Sequence, residues 1–153
     1  VTENHDWEST IFSDEKIFSL DGPDDWRTYL RKSDWYVRQK RVCGGNKLMV
    51  WLMVLPSGLL AFRIYKGVFN AQKYQELLST MVVPIIKLNY DDFYFQSDNS
   101  RVHTSNIIRT FFDKNQIKTL DWPPVSPDLN IVEDIWRMIS EIVYDGSQFQ
   151  KIE

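Results

Sequence analysis

The run LMVWLMVL at 48–55 is apolar at every position. A strand exposed on one side alternates apolar and polar residues, so an unbroken run calls for a strand covered on both faces. Pro56-Ser57-Gly58 then turns the chain and LLAFRIYK at 59–66 returns, which predicts a hairpin. Upstream, TIFSDEKIFSL at 10–20 alternates as a third strand, with Phe12, Asp14, Lys16 and Phe18 on one face. A chain with such a strand at its centre needs helices on both sides of a sheet.

Those helices are legible downstream. From Ala71 the apolar period becomes helical through Tyr74, Leu77, Leu78, Met81 and Ile85, and Pro84 is expected to kink or end that helix. FYFQSD at 93–98 reads as a short strand ending at Asp98, and 104–115 as a helix through Ile107, Ile108, Phe111 and Phe112. A short strand at 117–120 precedes a final helix from Leu129 to Tyr144. For that last helix Ser126 is expected to cap, Pro127 to take the first position and Asp128 the first turn. Its buried face is expected to be Leu129, Val132, Ile135, Trp136, Ile139 and Val143. The order is three strands, helix, strand, helix, strand, helix. It predicts an α/β domain with a mixed sheet flanked by helices, and an RNase H-like fold fits it.

At 153 residues the chain is most simply one domain, 1–153. No apolar run approaches the ~20 residues of a membrane span. The N-terminal VTENHDWEST has no secretory pattern, and the single Cys43 fits a reducing compartment. Net charge is −3, but Arg27, Arg31, Lys32, Arg38, Lys40, Arg41 and Lys47 stand against Asp34 alone between 27 and 47. That segment carries +6 and the remainder −9. Either it is a solvated basic loop or it meets an anion, with phosphate the natural candidate.

Three acids raise a sharper question. Asp14 lies mid-strand, where Asp is disfavoured, and either Lys16 or an Arg could pair with it. Asp98 closes a strand, where open sheets place their sites, and a turn or capping role would serve equally. Glu133 sits on the flank of the last helix's apolar face, half-desolvated or reaching Arg137 at i+4. Together they offer hard oxygen ligands of the kind Mg²⁺ prefers. Two such ions about 4 Å apart can activate an attacking hydroxyl and stabilise a phosphodiester's leaving oxygen.

The blocks SDEKIFSLDGPD at 13–24, QSDNSRVHTS at 96–105 and LDWPPVSPDLNIVEDIW at 120–136 resemble, in order, the signature blocks of Tc/mariner-superfamily DDE transposases. The 34 residues between Asp98 and Glu133 (99 to 132) match that superfamily's Asp-Asp-Glu branch, and GGNKLMVW at 44–51 extends the likeness. The resemblance implies an RNase H-like catalytic domain, with Asp14, Asp98 and Glu133 holding two Mg²⁺ ions (Mn²⁺ as substitute). It implies cut-and-paste DNA transposition, DNA as partner through transposon ends and target, a homodimer in the full-length protein, no membrane association and a nuclear location. It also implies a fragment of a longer protein that carries an upstream helix-turn-helix module and further helical structure after the Glu helix. His103 and Asn99 resemble positions flanking the second Asp. His103 is expected either to contact DNA or metal-bound water, or to cap the 104–115 helix. The basic segment falls where related transposases contact DNA and the partner subunit. Trp122, Pro123, Pro124, Ser126 and Pro127 are expected to stiffen the loop that aims Glu133. Ser97, Ile131 and Leu52 depart from the usual pattern without removing an acid. They suggest a diverged copy, and with it a second reading: a domesticated domain kept as a scaffold for DNA or protein partners without catalysis.

Overall fold

The computed structural model describes residues 5–19, 47–89 and 93–144. β1 (Thr10–Ser19), β2 (Lys47–Leu55), β3 (Gly58–Lys66), β4 (Tyr94–Gln96) and β5 (Lys118–Thr119) form one sheet in the order β3-β2-β1-β4-β5. β1 and β3 run antiparallel to β2, while β4 pairs parallel to both β1 and β5. The mixed sheet is the one the sequence predicts.

Alternation along β1 and β2 divides the core in two. Ile11, Trp51, Met53 and Leu55 point to one side, where Tyr74, Leu77, Leu78, Val82 and Ile108 cover them. Phe12, Phe18, Leu52 and Val54 point to the other, under Val132, Trp136, Tyr144 and Trp122. The unbroken apolar run in β2 thus has a cover for each of its faces. β3 lies at the edge, and Phe62 and Ile64 stay about half exposed.

Helices α1 (Ala71–Leu77) and α2 (Val83–Asn89) flank a π-helical segment at Leu78–Val82. Pro84 does not end this stretch: the chain stays helical to Asn89, with the wider π turn placed just ahead of a residue that lacks an N–H. Helix α3 (Asn106–Asn115) begins after Ser105 and closes on Gln116 at φ 55°, a left-handed C-cap.

Helix α4 (Ile131–Tyr144) starts later than expected. Pro127–Leu129 form a separate 3₁₀ turn, and Ser126 makes no capping bond; its hydroxyl donates to the Pro124 carbonyl at 3.2 Å. The cap is Asn130, whose Oδ1 accepts from the Val132 amide at 3.1 Å. Its Nδ2 donates to the Ser13 carbonyl on β1 at 3.4 Å, so one buried side chain both starts the helix and ties it to the sheet. Leu129 falls outside the helix and, like Val143, is exposed; Val132, Trp136 and Tyr144 form the buried face, with Ile135 and Ile139 partly packed. The Tyr144 hydroxyl bridges to the Ser19 backbone, accepting from its amide at 3.0 Å and donating to its carbonyl. Among the described residues no helix is long and apolar enough to cross a membrane.

Loss of a buried cap costs more than loss of an exposed hydroxyl. Asn130→Ala is expected to lower unfolding free energy by ~1–2 kcal/mol, and Ser126→Ala by less than ~0.5 kcal/mol. Urea denaturation of the two variants checks the order.

Candidate functional site

β1 and β4 run parallel with Phe12 opposite Gln96, so Asp14 and Asp98 each lie two residues beyond an aligned pair. Two further bonds extend that pairing: Ser13 N–H donates to Gln96 Oε1 at 3.3 Å, and Ser13 Oγ donates to the Gln96 carbonyl at 2.8 Å. The two acids therefore emerge at the same level. Asp98 falls just past the end of β4, and its Oδ1 accepts the Ser100 amide at 2.9 Å, a turn that ends the strand.

The third acid arrives by helix docking. Trp136 is 1% exposed and packs edge-on against Phe18, with its Nε1–H donating to Asp14 Oδ2 at 3.1 Å. Glu133, one turn earlier on α4, is exposed at the rim. Arg137, the alternative partner for Glu133, reaches Glu141 and Asp134. Trp122 is buried edge-on against Phe12, and its carbonyl accepts from Asn99 Nδ2 at 2.7 Å. That bond fastens the proline loop to the loop carrying Asp98. Val125 at its tip is 98% exposed with φ 53°, a left-handed conformation that a β-branched residue adopts only under strain. A cleft of about 350 Å³ results, lined by Asp14, Asp98 and Glu133 with Gln96 on its floor and Pro123, Pro124, Ser126 and Pro127 along one wall.

The acids differ in charge state. Burial pushes the Asp14 carboxyl up to about 7, and the nearby charges of Glu15 and Glu133 add to the effect. Asp98 is held down to about 2, chiefly by the hydrogen bond from His103 Nδ1 at 2.6 Å. Burial alone would lower His103, but its bonds to Asp98 and Glu15 raise it to about 10, so the ring is an imidazolium donating from both nitrogens. Hard oxygen donors and an Asp14 carboxyl whose ionisation is opposed by neighbouring negative charge suit a divalent cation. Among the described residues no three such side chains yet form a gathered metal cluster. Asp98 Oδ1 is bound to His103 and Ser100, and Glu133 stands at the rim.

The sequence-predicted residues divide accordingly. Asp14, Asp98, Glu133 and the proline loop share the cleft. His103 does not cap α3: it is 7% exposed, with both nitrogens engaged inside the protein. Lys47 is exposed at the start of β2, whereas Arg27, Arg31, Lys32, Arg38, Lys40 and Arg41 lie outside the described residues. Sequence reasoning passed over Glu15 and Asn130. Strand alternation held a signal for the first, since it sends Glu15 to the face opposite Asp14, beside buried Ile11 and Ser13, where an acid needs a partner.

The strand order and flanking helices define an RNase H-like fold, and comparison with known proteins agrees. Residues 9–153 match the family model described as DDE superfamily endonuclease. The chain belongs to that family. It is 38% identical over 141 residues to the transposable element Tc3 transposase of Caenorhabditis elegans, spanning 90% of this chain and 43% of that protein. It is 31% identical over 144 residues to the Tcb2 transposase of Caenorhabditis briggsae, spanning 90% of this chain and 53% of that one. The chain thus spans about half the length of these relatives. Among solved structures, a Mos1 transposase paired-end complex with left transposon end superposes with TM-score 0.73 at 19% identity, over 95% of this chain and 44% of that one. The Mos1 mariner transposase catalytic domain gives 0.69 at 17% identity, over 95% and 64%.

Asp14 gives the metal-free protein a distinct pH signature. Its folded value near 7 lies above the ordinary 3.8, so between those limits the native state holds a proton that the unfolded state lacks. The stability it contributes is full below about pH 4 and falls as pH rises through about 7. Asp14→Asn keeps an acceptor for Trp136 and removes the titration. Compared with wild type by thermal melts, it is expected to gain ~2 kcal/mol at pH 8 and to lose that advantage near pH 4.

Proposed function

We propose that this chain is the catalytic domain of a cut-and-paste DNA transposase, cleaving and transferring phosphodiester bonds with divalent metal, Mg²⁺ or Mn²⁺. One observation carries the reading: Asp14, Asp98 and Glu133, from a strand, a strand-end loop and a helix far apart in sequence, line one cleft. Membership of the endonuclease family supports nuclease-type chemistry, and the likeness to Tc3 transposase supports the transposase assignment.

In this reading Asp14, Asp98 and Glu133 would hold the metal, the first two from β1 and the end of β4 and the third from α4 at the rim. Divalent cations held there would supply Lewis-acid chemistry, activating a water or 3′-hydroxyl and offsetting charge on the phosphate. The chain supplies the rest. Trp136 orients Asp14, the Trp122 anchor and three prolines stiffen the opposite wall, and Asn130 sets the helix start that aims Glu133. DNA is the proposed partner, as in the paired-end complex of Mos1 transposase. Lys47, with the cations of 27–41, supplies the phosphate contacts, in a protein that acts in the nucleus and as a homodimer.

Asp14 is about half protonated near pH 7, so metal entry must expel its proton. Titration calorimetry with Mn²⁺ at pH 7, in two buffers of different ionisation enthalpy, is expected to show uptake with proton release. Asp98→Ala and Glu133→Ala are each expected to bind at least ~10-fold more weakly and to lose nicking of supercoiled DNA. A folded wild type that binds no Mn²⁺ and cuts nothing would instead favour a scaffold.

A further inference from the structure

Asp14 and Glu15 are consecutive on β1, so their side chains leave the sheet on opposite faces. Asp14 enters the cleft. Glu15 turns beneath it, where its Oε1 accepts from His103 Nε2 at 3.1 Å. The other nitrogen of the same ring donates to Asp98 Oδ1 at 2.6 Å. Tyr74 on α1 covers the imidazole with ring centroids 4.3 Å apart. The result is a chain, Glu15–His103–Asp98, that runs from a largely buried acid beside one cleft residue, through a buried imidazole, to the half-exposed carboxylate of another.

A charged chain of this kind is an expensive way to fill a core. An apolar residue of similar size would avoid the desolvation of Glu15 and His103, whose side chains are only 18% and 5% exposed. What the charges provide is direction. His103 and the Ser100 amide both bond to Oδ1 of Asp98, fixing that carboxylate from the protein side. We propose that Glu15 is a positioning residue for the metal site: through His103 it sets the rotamer of Asp98, so that Oδ2 is the oxygen presented to the cation at the level of Asp14. The inference rests on the metal-dependent reading above. Its logic is that of outer-shell partners that orient metal ligands, with the imidazole here one step removed from the ion.

The test compares Glu15→Gln, which keeps an oxygen acceptor for His103, with Glu15→Met, which fills the space without one. Ile108→Val serves as a core control, since Ile108 is buried on the same face without bonding to the chain. Mn²⁺ affinity is read by calorimetry on each folded protein. The expected result is a loss of ~10–100-fold for Glu15→Met, near-wild-type affinity for Glu15→Gln, and no change for the control. Equal affinity of Glu15→Met and wild type, or an equal loss in Ile108→Val, overturns the positioning role while leaving the metal site standing. A wild type that takes up no Mn²⁺ overturns the metal-dependent reading, and this role with it. An anomalous-diffraction map of Mn²⁺-soaked wild type needs no variant to fold. Metal on Oδ2 with the His103 bond to Oδ1 intact supports the proposal, and metal on Oδ1 with that bond broken sinks it.

Discussion

The contact between the Trp136 indole N–H and Asp14 decides the rest of the site. An acid in the middle of a core strand is costly to bury, and here a single directed donor from a fully packed residue offsets part of that cost. The same contact fixes the rotation of α4 about its own axis. Once Trp136 is seated between Phe18 and Asp14, Glu133 one turn back has only the cleft rim to occupy. Asn130 fixes the remaining freedom, the point along β1 at which the helix begins. Two polar contacts inside an apolar interface thus convert helix packing into aim.

Two acids facing one cleft are shifted in opposite directions. Asp98 has two donors on one oxygen and a cation beside it, while Asp14 has burial and like charges against it. The two biases have separate causes: the His103 bond favours the charged form of Asp98, while burial, with the charges of Glu15 and Glu133, favours the neutral form of Asp14. The cleft thus holds less negative charge before any counter-charge arrives than it would with Asp14 ionised.

The architecture was legible because it rests on periodicity. The run at 48–55 required two covers, and both are present. Strand and helix context left Asp14, Asp98 and Glu133 each with an ordinary explanation; it was the resemblance to Tc/mariner transposases that singled them out, and the three do line one cleft. What could not be read depended on single side-chain geometries. Ser126 has the better capping context in sequence, yet Asn130 wins because it alone can also reach the Ser13 carbonyl. Pro84 carries a helix-ending signal that a π turn absorbs. His103 sits in a polar stretch, SRVHTS, that reads as surface. It is buried because Glu15 and Asp98, 88 and 5 residues away, claim its two nitrogens at once. No local pattern records a pairing of that range.

The site's elements lie far apart in sequence: 83 residues separate Ser13 from Gln96, and 122 separate Asp14 from Trp136. Closing such loops comes late in folding, because their entropy is lost before the contacts form. During synthesis Asp14 and Asp98 leave the ribosome well before α4, and until that helix docks they have neither the indole donor nor the third carboxylate. A truncated or half-folded chain therefore lacks the assembled cleft. Any DNA-cutting capacity would switch on only in molecules that have passed their own test of completeness.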